Sequence, residues 1–348
     1  MRPRAIALVL PLTLIAAATP RAGTQQPTAR ALTETWPEIV KVDGIEILHV
    51  QKGVYMLVGG GANVTVQVGE EGVTLVDSGA PGQGEKIVAA VRHLTKKPLR
   101  YLVNTSADAD NVGGNGAMVK AAGGTNGAAG NGGGTANTGI LIMSHEKALN
   151  RMMKGTPAFP ALTGDALPES SFFTPKKDFY ANGEAVQILY QPMAHSDGDV
   201  MVFFRGSDVI STGDIFRTDS YPVIEAGGTL QGELDALNTI LDITVPERNQ
   251  IGGTRVIPGH GRICNEADVL EYRDMLTIIR DRVRDMVKKD MTLEQVKAAK
   301  PMLEYDGIYG TRKEWTGAMF LEAAYKEIVA ANKATPAGGR NVPAPVKK

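Results

Sequence analysis

The chain is nearly without cysteine. Cys264 is the single one among 348 residues, so no disulfide can close within it, and export would bring no disulfide framework. An excess of charge is missing as well: the formal net charge is −1. Residues 1–22 contain Arg2, Arg4 and Arg21 and no acid, and removing them leaves 34 basic against 38 acidic residues. That mildly acidic balance gives no electrostatic reason to expect nucleic acid as a partner. Histidine is scarce, with five in all. The apolar run 5–18, broken by Pro11 and Thr13, is too short for a comfortable membrane span.

What stands at the start is a basic, apolar, small-residue order. Met1-Arg2-Pro3-Arg4 leads into the apolar run, and Ala16-x-Ala18 and Pro20-x-Ala22 offer cleavage contexts without a twin-arginine pair. This is the layout of a secretory signal peptide over 1–22, followed by a loose leader over 23–40. The expected address is periplasmic or secreted, with no stable membrane association after cleavage.

The body of the chain begins as a β-meander. Residues 54–58, 63–68 and 73–76 read as strands separated by Gly59-Gly60-Gly61 and Glu70-Glu71-Gly72, by their period and turn residues. A helix is expected over 84–95, with Ile87, Val88, Val91 and Leu94 on one face, and a strand over 99–104. Residues 116–139 are rich in glycine and read as a mobile loop. Further strands are expected at 140–143, 186–190 and 200–204. Helices are expected over 266–289 and 314–331, with a short one capped by Thr292 and Gln295, and a disordered tail closes the chain. The proline-spaced segment 157–168 reads as a rim loop, and Phe172-Phe173 as ordinary packing.

One stretch organises the rest. The strand at 99–103 delivers Asn104-Thr105-Ser106-Ala107-Asp108-Ala109-Asp110-Asn111-Val112-Gly113-Gly114-Asn115. Ser106, Asp108, Asp110 and Asn111 put four oxygen-bearing side chains into six residues. Such a loop is either one edge of a metal cage or a polar turn capping the next helix.

The stretch resembles the metal-binding loop of the metallo-β-lactamase fold superfamily, Asn-Thr-His-x-His-x-Asp-His-x-Gly-Gly-Asn. Asn104, Thr105, Asp110, Gly113, Gly114 and Asn115 match, while Ser106, Asp108 and Asn111 stand in place of the three histidines. The remaining motifs follow in order. Asp77-Ser78-Gly79 resembles the structural brace of the loop. Met193-Ala194-His195-Ser196-Asp197-Gly198-Asp199 resembles the third histidine motif. Ser211-Thr212-Gly213-Asp214 resembles the bridging aspartate, and Pro258-Gly259-His260-Gly261 the last ligand.

The resemblance implies an α/β fold, the four-layered αββα sandwich, with C-terminal helices. It sets the sandwich at 41–265, a helical segment packed on it at 266–331 and a tail at 332–348. Carried over by position, the first metal site would be Ser106, Asp108 and His195, the second Asp110, Asn111 and His260, with Asp214 bridging. Asp110 would also orient the water. His49 and His93 read as ordinary, and His145 as structural or on the substrate side.

A cage poorer in imidazole and richer in oxygen shifts preference from zinc toward manganese, iron or magnesium. One divalent metal per chain is expected, with Asp110, Asp214 and His260 as its better home. The implied function is a metal-dependent hydrolase, its metal-activated water attacking an ester, lactone, amide or similar bond of a small-molecule substrate. The alternative is a metal-poor pseudoenzyme that binds a ligand or partner. Substrate and oligomeric state are not legible.

Overall fold

The computed structural model describes residues 39–125, 139–224 and 227–334. The segment expected to be a signal peptide, nearly all of the expected leader, 126–138 of the glycine-rich stretch and nearly all of the expected tail lie outside the described residues.

Two sheets carry the fold. The first joins β1 (Val40–Val42), β2 (Ile45–Gln51), β3 (Val54–Val58), β4 (Val64–Val68), β5 (Val73–Val76), β6 (Leu99–Val103), β7 (Leu141–His145) and β8 (Ser170–Phe172) in chain order. It is antiparallel to β5 and parallel from there. The second sheet runs from β9 (Lys176–Ala181) through β10 (Glu184–Tyr190), β11 (Val200–Phe204) and β12 (Val209–Ser211) to β13 (Arg255–Ile257), with β12 and β13 parallel.

Strand periodicity explains the layering, because alternate side chains leave opposite faces. On β3, Val54 and Met56 enter the core between the sheets, while Leu57 faces the first helical layer. On β11, Val200, Val202 and Phe204 enter that same core and Met201 faces away; on β13, Ile257 and Val256 divide likewise. With both faces buried, these strands read as continuous apolar runs.

One outer layer is α1 (Gly84–Leu94) with α3 (Asn115–Ala122), burying Ile87, Val91, Met118 and Val119 against the first sheet. The other is α5 (Leu230–Ile243), α6 (Glu266–Lys288) and α9 (Gly317–Ala334) against the second sheet. The result is the expected αββα sandwich with C-terminal helices. Each fully buried aliphatic side chain in these layers contributes about 1.5–3 kcal/mol. An exposed ion pair such as Lys120–Glu85 contributes about 0–1 kcal/mol, so burial decides the fold.

Helix ends follow local chemistry. Asn265 and Asp268 form a capping box on α6, and Thr292 and Gln295 form the expected one on α7 (Leu293–Ala299). Three readings need correction. The loop expected from residue 116 starts as helix α3, because Met118 and Val119 have a core to enter while Gly116 stays outside. Helices α4 (Glu146–Lys154), α5 and α8 (Leu303–Tyr309) are absent from the sequence reading, and α9 begins at Gly317 instead of 314.

Candidate metal centre

The site gathers at one end of the two sheets. The loop after β6 supplies Asp108, and Asp110 follows on the single turn α2 (Ala109–Val112). The β10–β11 connection supplies His195, the turn after β12 supplies Asp214, and the turn after β13 supplies His260. The sheets are tied there by backbone: Val200 N–H donates to the Thr105 carbonyl at 2.9 Å, and Asn63 N–H to that of Gly259 at 2.7 Å.

A polar network beneath the loop holds its shape. Asp77, 1% exposed, accepts from Thr105 N–H at 2.8 Å, the Thr105 hydroxyl at 2.6 Å and the Asn111 amide at 3.1 Å. Burial outweighs these donors and pushes its carboxyl up to about 7. Asn104 and Asn115 exchange amide hydrogen bonds of 3.1 and 2.9 Å and so close the loop. Gly213 has a left-handed φ of 53°, and a Cβ there would meet the Thr105 hydroxyl at 2.3 Å. The glycine before Asp214 is thus a condition for docking the two loops.

The family positions fare differently. Ser106 is buried, and its hydroxyl accepts from Asp108 N–H at 3.1 Å. Asn111 is buried and turned toward Asp77 and Thr105. Neither lines the cavity, whose volume is about 260 Å³, whereas Asp108, Asp110, His195, Asp214 and His260 all do.

His195 Nδ1 lies 2.6 Å from the Val223 carbonyl, which can only accept, so Nδ1 carries a proton and Nε2 faces the site. A metal-ligating histidine is commonly oriented from behind in this way. Its Nε2 is 2.6 Å from Asp108 Oδ2. His260 Nε2 is 3.2 Å from Asp110 Oδ2 and 3.4 Å from Asp214 Oδ1.

Among the described residues, donor atoms of Asp108, His195 and Asp214 lie within 4.8 Å of one another. Asp214 Oδ2 is buried and has no hydrogen-bond partner among the described residues. Two carboxylates and one imidazole, with one carboxylate oxygen left unmet, fit one divalent ion. Its expected home was Asp110, Asp214 and His260, the second site. The structure brings Asp108 and His195 of the first site together with the bridging Asp214, while His260 lies beside Asp110 and Asp214.

Burial disfavours a charged His195, but hydrogen bonding and charge from Asp108 outweigh it and hold its pKa well above the ordinary value. His260 is likewise opposed by burial and raised by Asp110 and Asp214, to about 9. Burial works against ionised Asp214 too, but His260, His195 and Arg217 hold its carboxyl well below the usual range.

Sequence reasoning missed part of the cavity wall. Val223, Arg217 and Arg312 line it. Thr156 and Phe159 also line it, on and beside the segment read as a rim loop. Arg217, three residues after Asp214, was findable by proximity; Arg312 left no local signal. His145 is buried, stacks on Tyr190 at 3.7 Å and stays outside the cavity. Phe172 packs in the core while Phe173 is exposed.

The description of the Metallo-beta-lactamase superfamily matches residues 57–260, from β3 to the last histidine of the site. The chain belongs to the metallo-beta-lactamase superfamily. No curated protein matches it. Among solved structures it is similar to a double mutant of the sec-alkyl sulfatase PisA1, with a TM-score of 0.60 and 14% identity. It is also similar to the stereoselective inverting sec-alkylsulfatase Pisa1 from Pseudomonas sp., with a TM-score of 0.56 and 14% identity. Each match covers 83% of this chain and 52% of the other, so this superfamily member spans about half the length of those sulfatase chains. A metallo-beta-lactamase from Pontibacter korlensis aligns with a TM-score of 0.51 and 15% identity, over 67% of this chain and 99% of that one. At such identities the likeness establishes fold. Arg312 lies beyond the family match.

Proposed function

We propose that this protein is a metal-dependent hydrolase of a small-molecule ester, lactone, amide or related bond, exported to the periplasm or the medium. The observation that carries the reading is the convergence of Asp108, His195 and Asp214 in one cavity, with Asp214 Oδ2 unmet. These three would hold the ion, and His260 flanks it. A divalent ion so held supplies Lewis acidity toward the electrophile and toward water.

The chain's own groups do the rest. The Val223 carbonyl keeps His195 in the tautomer that presents Nε2. Asp110, with its side chain 37% exposed and its Oδ2 near His260 Nε2, is placed to accept a proton from water in the cavity. His260 Nε2, 3.2 Å from Asp110 Oδ2 and 3.4 Å from Asp214 Oδ1, holds the two carboxylates in place. Phe159 and Val223 supply apolar walls against which a carbon skeleton can lie.

One observation favours a second reading. His195 with Asp108, and His260 with Asp110 and Asp214, pair without a metal and leave Asp214 Oδ2 without a partner among the described residues. A pseudoenzyme would retain this network. Metal analysis after incubation with zinc or manganese and desalting, alongside hydrolysis of a panel of esters and lactones, separates the two. About one ion per chain, lost in His195→Ala and Asp214→Ala together with turnover, supports the hydrolase. Protein that takes up no metal and is inert on the panel supports the binding module. Intact-mass measurement on protein from the native envelope tests export, with a chain lacking roughly its first twenty residues expected.

A further inference from the structure

Two arginines line the cavity beside the candidate ligands, and they differ in what they leave for a ligand. Arg217 is 2% exposed, and its Nε and Nη2 donate to the Asp219 carboxylate at 2.8 and 3.2 Å. Its charge is answered by a bidentate partner. Arg312 has a loose ion pair, Nε to Glu314 at 3.9 Å, with the Glu314 side chain 77% exposed. Its side chain is 32% exposed and lines the cavity, while its Nη1 is turned away from solvent with no hydrogen-bond partner among the described residues. An unmet buried donor on a cation is costly, and an anionic oxygen seated against it would remove that cost.

We propose that Arg312 is the specificity-determining residue of this cavity and seats an oxyanion of the substrate, a carboxylate or a sulfate. The inference rests on the hydrolase reading for the reaction but not for the binding. The planar guanidinium suits such groups, since two parallel N–H donors match two oxygens. A cavity of about 260 Å³ admits a short organic anion. Its reacting bond would face Asp108, Asp214 and the histidines, and its charged end would face Arg312. The residue comes from the segment between α8 and α9, outside the 57–260 family match. Selectivity is thus supplied by the C-terminal helical part, and the ligands by the sandwich.

Trp315 offers a reporter, three residues from Arg312 and hydrogen-bonded through its indole N–H to the Pro222 carbonyl at 2.9 Å. The full chain is titrated with sodium sulfate and, separately, sodium butyrate. Each titration is done on chelator-stripped and on manganese-loaded protein, and followed by tryptophan fluorescence and calorimetry. At least one anion should bind saturably in both forms, and the preferred one names the substrate's charged group. Arg312→Ala should weaken binding roughly ten- to a hundredfold, with the larger effect on KM if turnover is found. Arg312→Lys should recover part of the loss, and Lys313→Ala should bind as wild type. If Arg312→Ala fails a circular-dichroism check of folding, Arg312→Gln removes the charge with less change of shape.

Unaltered affinity in the folded neutral variant, or no binding of either anion to wild type, overturns the proposal. Arg312-dependent binding in a protein that holds no metal would leave this inference standing and remove the hydrolase reading. Metal-dependent turnover with anion binding indifferent to Arg312 would do the reverse.

Discussion

Asp77 gives the sharpest test of how the loop is held. Its carboxyl is buried, receives three hydrogen bonds, and is still raised from 3.8 to about 7. Burial therefore outweighs the donors. At about 1.4 kcal/mol per pKa unit, the charge penalty at pH 8 is roughly 4 kcal/mol. A carboxyl whose folded pKa lies above its unfolded value contributes stability that is complete below pH 3.8 and lost as pH rises through about 7.

Asp77→Asn removes the titration and keeps the shape. Asparagine also tolerates the left-handed φ of 64° at this position. Its carbonyl can still accept from Thr105 N–H, while the Thr105 hydroxyl must turn and the Asn111 amide falls back on Thr105. Near pH 4 the variant should be less stable by about 1 kcal/mol. By pH 8 the difference should have moved in its favour by as much as about 4 kcal/mol. Asp77→Ala should lose about 3 kcal/mol near pH 4, through unmet buried donors and left-handed strain, and that loss should shrink as pH rises through about 7, as it does for Asp77→Asn. Urea unfolding of the chelator-stripped proteins from pH 4 to 8 measures this. Asp199, raised to about 6, contributes equally to both curves and cancels in the difference. Parallel stability curves for wild type and Asp77→Asn would refute the reasoning.

Other outcomes follow from the same geometry. Ser106→Ala should leave metal uptake unchanged and cost about 0.5–1.5 kcal/mol in thermal unfolding, since among the described residues the hydroxyl serves only the Asp108 N–H. With His260 raised from 6.5 to about 9, its ion pairs stabilise the metal-free protein fully below pH 6.5. That stability fades as pH rises through about 9, visible as a falling melting temperature in chelator. Metal affinity should rise over the same interval, because the ion displaces these protons; calorimetry with manganese at pH 6.5 and 8.5 checks it. Ser106→His, Asp108→His and Asn111→His together restore the family's loop sequence, yet the variant should be destabilised by about 2–4 kcal/mol. Two of the new rings must enter fully buried positions now filled by smaller side chains, and Asp77 loses a donor. A folded triple variant of undiminished stability that holds two zinc ions would show that the loop can reopen.

Much of this architecture was written in local pattern. The strands β3, β5 and β11 declare themselves as apolar runs bounded by turn residues, and β6 and β10 as apolar-rich segments interrupted by Arg100 and Gln187. Helix α6 declares itself through Val269, Tyr272, Leu276, Ile279 and Val283 on one stripe behind an Asn265 cap. Helix α5 carried an equally legible stripe in Leu230, Leu234, Leu237 and Ile240, behind Thr229. The order of the loop, His195, Asp214 and His260 was likewise enough to name the fold and to point at one end of it.

Which of those residues face one another is a different matter. Asn111 occupies a ligand position by spacing, but the third strand of the meander brings Asp77 beneath it, and a buried amide takes the nearest strong acceptor. Asp108 comes within 2.6 Å of His195 because the two sheets dock with Val200 against Thr105, a contact that no spacing records. Arg312 reaches the cavity only because α8 and α9 pack against α6 and the segment around Tyr221. The sequence by itself determined the elements, their faces and the family, since periodicity and turn chemistry act over a few residues. Only the tertiary structure decided the ligand partners and the charged wall opposite them, since those depend on distances between segments that burial alone brings together.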